Sequence, residues 1–300
     1  MIKQFIVIND QDNMRIDKWL RKNNYNLPQG LIEKLLRNGK IKVNKKKIKS
    51  SYKVREKDSI KIFNVKENIS NNLQDYIPSK SLIKQNEKGV IFNNDDYIVI
   101  NKEAGVPVQG GTKSKKNLIT IFSKSNFFEN SKPFTVHRLD KDTSGILLIA
   151  KNRKSAQFFT SLFRIRKIYK TYIALCVGYI NNEQGIWEHK LEKIENNKKI
   201  TEKAISKFKV IDKNSNFSLI ELKPITGRKH QLRKQTFNVG HPIYGDNKYG
   251  ENNFKYKKLF LHSYEIKFIK GKEKFNYIAP LPEYFKKILL KKKINFSNYL

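Results

Sequence analysis

From residue 90 onward the apolar segments of the chain come in an order that few folds accept. Strand-like runs stand at Tyr97–Ile100, Ile146–Ala150, Tyr169–Val177, Phe208–Ile211, Phe217–Leu222 and Leu259–Phe268. Helical patterns are confined to about Lys154–Arg164, His230–Val239 and Glu283–Lys291. A doubly wound α/β fold needs a crossover helix between successive parallel strands, and that alternation is missing. The order suits a mixed, mainly antiparallel central sheet flanked by helices. Upstream the pattern changes. Residues 14–22 place Ile16, Trp19 and Leu20 on one helical face and Arg15, Lys18, Arg21 and Lys22 on the other. After a polar break at Asn23–Asn26 and then Pro28, a second helix carries Leu31, Ile32, Leu35 and Leu36 and stops at Gly39. Lys40–Asn44 and Ser59–Phe63 alternate as strands do. The fold class is therefore α+β. A small αα-β module is expected over residues 1–66, a polar linker over 67–88, a larger domain over 89–292 and a basic tail over 293–300.

Charge decides what such a chain meets. The 62 Lys+Arg outnumber the 27 Asp+Glu, for a net charge of +35 at pH 7. An excess of that size predicts a polyanionic partner, because each cation docked on a phosphate releases condensed counterions. The abundance of Lys, Asn and Ile also matches AT-rich coding, so charge alone says nothing about chemistry. Cys176 is the one cysteine, which excludes a disulfide framework or a thiolate metal site within the chain and fits a reducing, cytoplasmic setting. Residues 1–10 hold one short apolar run without a small-residue cleavage site, so no signal peptide is expected. No apolar stretch approaches the roughly 20 residues of a membrane span.

The densest chemical segment is His137-Arg138-Leu139-Asp140-Lys141-Asp142-Thr143-Ser144-Gly145, which runs straight into Ile146–Ala150. Polar and small residues immediately before a buried strand place a carboxylate and an arginine at the strand's lip, where sites are usually built. The same stretch matches the opening of an EF-hand loop, but Lys151 stands where that loop needs its bidentate glutamate, so calcium is excluded. Gly105–Thr112 resembles a phosphate loop, but Gly111 stands where the lysine must be. His137, His189, His230, His241 and His262 show no close ligand spacing, so no metal site is expected.

The segment His137–Ala150 resembles the H-R-L-D-x-x-T-S-G signature of the RluA-type pseudouridine synthases. Five further stretches agree in order. Asn101–Gly111 is similar to the family's N-K-P-A-G element, with Glu103 where proline is usual. Lys170-Thr171-Tyr172 resembles its K-x-Y element, and Pro224–Arg233 its T-G-R-x-H-Q-L-R helix start. Gly240–Asp246 and Leu261-His262-Ser263 follow as the family has them. The basic module at the start is similar to an S4 RNA-binding domain, although Pro28-Gln29-Gly30-Leu31 replaces the Ser-Arg-Ser-like opening usual in its helix. The Val108–Gly111 run together with the S4 module looks most like the C-type branch acting on large-subunit (23S) rRNA.

The resemblance implies that Asp140 is the catalytic carboxylate. It adds to ribose C1′ as a nucleophile or removes a ribose proton to give a glycal. The uracil leaves as an anion and is retained, so neither a second carboxylate nor a cofactor is needed. Asp140 must stay ionised and so calls for a cation, which the resemblance places at Arg233. Tyr172 is expected against the target base, and Leu261 in the uracil pocket. Arg138 would occupy the gap left in the RNA stack when the uridine is extruded; its structural alternative is an ion pair with Asp142. Arg15, Lys18, Arg37, Lys40 and Lys42 are expected to face RNA phosphates. The implied partner is RNA, most readily 23S rRNA, for an enzyme working as a monomer. Two other readings compete. One is a non-catalytic, S4-bearing ribosome assembly factor, which the Asp140, Tyr172 and Arg233 set opposes. The other is a glycosidase, which would want a second carboxylate and leaves the charge unexplained.

Overall fold

The computed structural model describes residues 2–25, 27–65, 76–110, 116–195, 198–250 and 258–299. Gly111, Thr112, Asn26 and much of the expected linker lie outside the described residues. The chain divides into two compact units, Met1–Asp75 and Tyr76–Leu300.

The first unit is a three-stranded antiparallel sheet with two helices. Strand β1 (Ile2–Ile6) comes first, then α1 (Ile16–Lys22), α2 (Gln29–Arg37), β2 (Ile41–Val43) and β3 (Ser59–Phe63), with β3 in the middle of the sheet. Ile16, Trp19 and Leu20 of α1 pack with Ile32 and Leu36 of α2 and with Ile41, Ile60 and Ile62 of the sheet, so the apolar faces of both helices turn to one core. Gly39 ends α2 at φ +71°, the left-handed position that glycine occupies without a Cβ penalty. Strand β1 was not expected. Residues 2, 4 and 6 are exposed and its remaining side chains only half-buried, so it lacks the continuous apolar signal of a core strand.

The second unit is built on one ten-stranded sheet. Its elements in chain order are α3 (Lys80–Glu87), β4 (Val90–Asn93), β5 (Tyr97–Lys102), α4 (Leu118–Phe122), β6 (Phe134–Thr135), β7 (Ser144–Ala150), α5 (Arg153–Arg164), β8 (Tyr169–Val177), β9 (Gln184–Glu195), β10 (Lys198–Lys213), β11 (Phe217–Pro224), α6 (Gln231–Asn238), β12 (Leu261–Lys270), β13 (Glu273–Ile278) and α7 (Glu283–Lys291). The sheet runs β4-β5-β7-β12-β8-β11-β10-β9, with β13 beside β12 and β6 beside β7. All its pairings are antiparallel except β7 with β12, which makes the sheet mixed as the element order required. Strands β5 and β7 are apolar over Tyr97–Ile100 and Ile146–Ala150 because both of their faces are covered there. Val99 and Leu148 pack towards Phe159 of α5, while Ile100 and Leu147 pack towards Leu118 and Phe122 of α4. Burying one such aromatic stabilises the fold by roughly 1.5–3 kcal/mol.

Two boundaries differ from expectation. Lys80–Glu87, read as linker, is a helix whose N-cap Ser79 accepts from the Leu82 amide; none of its residues is buried, so it leaves no apolar period in the sequence. The expected basic tail is not loose either, because Ile294 and Phe296 are buried in the core with Phe285 and Leu289 of α7. The hairpin β9–β10 was legible only in part. Lysines and glutamates alternate along it and pair across the strands, Lys203 with Glu188 at 2.6 Å and Lys193 with Glu202 at 3.4 Å, so much of its cohesion is polar.

Candidate active site

Strands β7, β12 and β8 are neighbours, and their register brings three chain segments together. β12 runs parallel to β7, with Ser263 opposite Gly145, and antiparallel to β8, with Ser263 opposite Tyr172. Gly145 makes the parallel pair possible: its φ is +105°, and a Cβ there would stand 2.2 Å from the Ser263 carbonyl oxygen. Just before β7 a turn is closed by the Thr143 amide donating to the Asp140 carbonyl at 3.2 Å. Asp140 thus emerges at the lip of the sheet. A cavity of about 460 Å³ there is lined by Arg138, Asp140, Tyr172, Arg233 and Leu261, residues far apart in sequence.

The electrostatics around Asp140 differ in one respect from expectation. Arg233 Nη1 lies 3.5 Å from Asp140 Oδ2, but the fork of its guanidinium is committed elsewhere. Nε and Nη2 donate to the two carboxylate oxygens of Asp246, each at 2.7 Å. Asp246 also accepts the amides of Lys248 and Tyr249. Burial alone would raise its carboxyl pKa, but these hydrogen bonds outweigh burial and hold it below the usual carboxylate range. Arg233 is therefore first the partner of Asp246 and only by its remaining edge a neighbour of Asp140. Its own pKa is raised: burial works against its charge, and Asp246 and Asp140 more than offset that.

His230 faces the other carboxylate oxygen, with Nε2 at 3.6 Å from Asp140 Oδ1. It is held in the left-handed conformation (φ 53°) immediately before α6. Its Nδ1 lies 2.9 Å from the Tyr249 hydroxyl, so the neighbours favour the tautomer that accepts from Tyr249 and turns Nε2–H towards Asp140. Burial lowers the His230 pKa, opposed by Asp140 and aided by Arg233, Lys248 and Lys229, so the ring is neutral near pH 7.

Tyr172 lines the cavity with its hydroxyl hydrogen-bonded to Ser263; burial, reinforced by Asp140, pushes the phenol up to about 12. Leu261 is 3 % exposed on the same wall. Arg138 is exposed at the rim, and no ion pair ties it to Asp142. Two signature histidines are structural. His137 Nε2 accepts the Leu148 amide of β7 at 2.9 Å, and its ring stacks on Phe163. His262, fully buried, pairs with the Ser144 hydroxyl at 2.9 Å and donates to the Ala279 carbonyl at 3.0 Å.

Three further residues went unassigned in the sequence. Asp246 and His230 are two. The third is Lys102, whose ammonium donates to the carbonyls of Glu103, Val106 and Lys141 at 2.8, 3.0 and 3.0 Å and so ties two loops together beside Asp140. Burial pushes its pKa down to about 8, against the pull of Asp142 and Asp140. Its signal was available: a lysine closing the apolar run Tyr97–Ile100 is either at an edge or buried with acceptors. Among the described residues no group of histidine, cysteine and carboxylate side chains could hold a metal ion.

In the first unit the expected phosphate-facing cations fare differently. Lys18, Arg37 and Lys40 are exposed and carry no ion pair among the described residues. Lys42 is half-buried, with its ammonium 5.7 Å from the Phe63 ring centroid. Arg15 is occupied: its Nη2 and Nε bond both oxygens of the buried Asp17, at 2.7 and 3.2 Å.

A ten-stranded mixed sheet with a carboxylate on a loop at its lip, in a chain that also carries an αα-β module bearing exposed lysines, is the make-up of an RNA-modifying enzyme with an RNA-binding domain. Residues 96–237 match the RNA pseudouridylate synthase family and residues 14–60 match the S4 domain; the chain belongs to the RNA pseudouridylate synthase family. Among its relatives is a Rickettsia bellii protein named ribosomal large subunit pseudouridine synthase C, 37% identical over 94% of this chain and 99% of that one. A Vibrio cholerae protein of the same name is 31% identical over 96% of each chain. The solved structure of human RNA pseudouridylate synthase domain containing 4 superposes with a TM-score of 0.62 at 25% identity, covering 72% of this chain and 97% of that one.

Proposed function

We propose that this chain isomerises specific uridines of large-subunit (23S) ribosomal RNA to pseudouridine, with Asp140 as the catalytic carboxylate. One observation carries the reading. Asp140 lies in a cavity with Tyr172, Leu261 and Arg138, and its oxygens stand 3.5 and 3.6 Å from Arg233 and His230, oriented but not consumed by them. The nearby Asp246 is fully engaged. A carboxylate left free in a cavity is available to a ribose.

The N1–C1′ bond breaks, with Asp140 either adding to C1′ or removing the 2′ proton. The uracil turns, C5 bonds to C1′, the C5 proton is lost and N1 gains one. Atoms and electrons balance within the nucleotide, so the reaction itself calls for no cofactor. Tyr172 supports the base by stacking, worth roughly 1–3 kcal/mol. Leu261 lines the uracil pocket, and Arg138, exposed at the rim, fills the stack that the extruded uridine leaves. Arg233, 3.5 Å away, aims Asp140. The S4 unit adds affinity through Lys18, Arg37, Lys40 and Lys42; Arg15, spent on Asp17, contributes least. The ribosomal substrate is supported by the names of the relatives. A cytoplasmic setting fits the buried free thiol of Cys176, and a monomer fits an Asp140 cavity lined from one chain. No helix among the described residues is long and apolar enough to cross a membrane.

The test is Asp140→Asn with 23S rRNA transcript as substrate. Pseudouridine formation should fall by at least about 10⁴-fold, as losses of a reacting side chain do, while RNA affinity stays within about twofold of wild type. Comparable activity in the variant would falsify the assignment. RNA binding by a wild-type chain that forms no pseudouridine would leave the assembly-factor reading standing.

A further inference from the structure

We propose that a second cleft, adjoining the Asp140 cavity, seats the nucleotide next to the target uridine, with its phosphate on Lys170 and its base against Tyr169. The proposal rests on the pseudouridine synthase reading and adds to it a site that discriminates among uridines by what flanks them.

The cleft measures about 680 Å³, within the usual range for a ligand site. Phe163, Lys170, Thr226 and Arg228 line both it and the Asp140 cavity, so an RNA strand with one base at Asp140 reaches the cleft in its next step. Lys170 stands at that junction. It is half-buried, its pKa is lowered by burial, and no carboxylate pairs with it among the described residues. The Phe163 ring, 5.8 Å away, is its aromatic neighbour. A desolvated ammonium without a counter-ion is costly, and a phosphodiester supplies one.

The remaining walls agree. Arg164, Arg166 and Lys207 are exposed at the cleft and make no ion pair among the described residues. Glu265, the one carboxylate among the lining residues, is engaged by Thr171 at 3.2 Å and by Lys267 at 2.8 Å, so it offers little repulsion to a phosphate. Tyr169 is 60% exposed on the same wall. An exposed aromatic ring among unpaired cations is the arrangement by which single-stranded nucleic acid is held: bases stack and phosphates follow the charge. Extruding a uridine opens the backbone on either side of it, and the neighbour then needs a seat.

The experiment uses the full chain, 23S rRNA transcript and steady-state pseudouridine formation. Tyr169→Ala should raise KM about tenfold with kcat within twofold, the size of one lost stacking contact. Lys170→Met should raise KM and reduce the slope of log KM against log salt by about 0.7, the loss of one phosphate on a single strand. Lys170→Arg should restore both. With 4-thiouridine placed beside a mapped pseudouridine position, wild type should crosslink within Tyr169–Thr171. If Lys170→Met fails to fold, Tyr169→Ala and Lys207→Ala carry the test, since both change exposed residues. Wild type that forms pseudouridine while these variants keep its KM and salt slope overturns the cleft as an RNA site and leaves the functional reading intact. Wild type that forms none overturns the functional reading, and the cleft falls with it.

Discussion

The two units of this protein handle charge in opposite ways. In the first, Lys18, Arg37 and Lys40 stand exposed around a small apolar core, and the exposed Arg15 is tied to the buried Asp17 two residues on. In the second, beside the exposed cations of its cleft, charge is also carried inside: Arg233 and Asp246 are buried together, Lys102 spends its ammonium on three carbonyls, and His262 is enclosed and neutral. The difference separates two tasks. Holding a polyanion needs cations that water can reach and that act nearly independently. Cleaving a glycosidic bond needs one carboxylate aimed to within fractions of an ångström, and that aim depends on neighbours which cannot move singly.

The sharpest way to break this contrast is to remove Asp246. Asp246→Ala leaves the Arg233 guanidinium buried without its bidentate partner, and breaking such a pair costs roughly 3–5 kcal/mol. Chemical denaturation should show that loss in the second unit, with a fall in kcat of at least tenfold as Arg233 swings onto Asp140 and pairs with it closely. The double variant Arg233→Met with Asp246→Leu should recover most of the stability, because an apolar pair of similar volume replaces a buried ion pair at little cost, and should recover no activity. Recovery of both would mean that Arg233 does not aim Asp140.

Acid separates the units next. Every histidine of the chain lies beyond residue 75. Burial pushes the His262 pKa down to about 4 and that of His137 to about 3, below the ordinary 6.5. The unfolded chain therefore takes up protons that the folded unit refuses. The stability tied to a neutral His262 is complete above pH 6.5 and drains away as pH falls to about 4, by roughly 3 kcal/mol. Unfolding followed by probes in each unit should show the second weakening over that window while the first holds. A His262→Gln variant should lose much of the pH dependence, and an unchanged slope would put the acid sensitivity elsewhere.

How much of this was legible in the sequence follows the same division. The apolar runs Tyr97–Ile100 and Ile146–Ala150 announced strands β5 and β7, and the segment His137–Gly145 before β7 marked the candidate site. Gly39 marked the end of α2. Among the elements that escaped were the exposed β1, the unburied helix α3 and strand β9 of the salt-bridged hairpin, whose partner β10 was found only at Phe208–Ile211. The lining of the candidate site was readable where residues carry chemistry singly. Asp140, Tyr172, Leu261, Arg138 and Arg233 line one cavity, whereas Asp246 and His230 gain their meaning from approach in space. Asp246 lies 13 positions beyond Arg233, on a loop that Gly245 bends at φ +75° so closely that a Cβ would stand 1.9 Å from the Lys258 carbonyl oxygen. No periodicity could have paired them.

The smallest expected effect belongs to the first unit, and it tests whether that unit's cations are as independent as their exposure suggests. Lys18→Gln, Arg37→Gln and Lys40→Gln should each leave stability within about 0.5 kcal/mol, since surface changes away from a buried network rarely do more. Each should weaken 23S rRNA binding by a few-fold at moderate salt and lower the slope of log K against log salt by about 0.9 if the phosphate belongs to a duplex, or about 0.7 if to a single strand. Because the side chains share no partner among the described residues, the three losses should add. Arg15→Gln is the internal control: its guanidinium is taken by Asp17, so its removal should cost stability and leave the salt slope nearly unchanged. If Arg15→Gln flattens the slope as much as Lys18→Gln does, the Asp17 pair opens on binding, and the line drawn between structural and binding cations in this unit is misplaced.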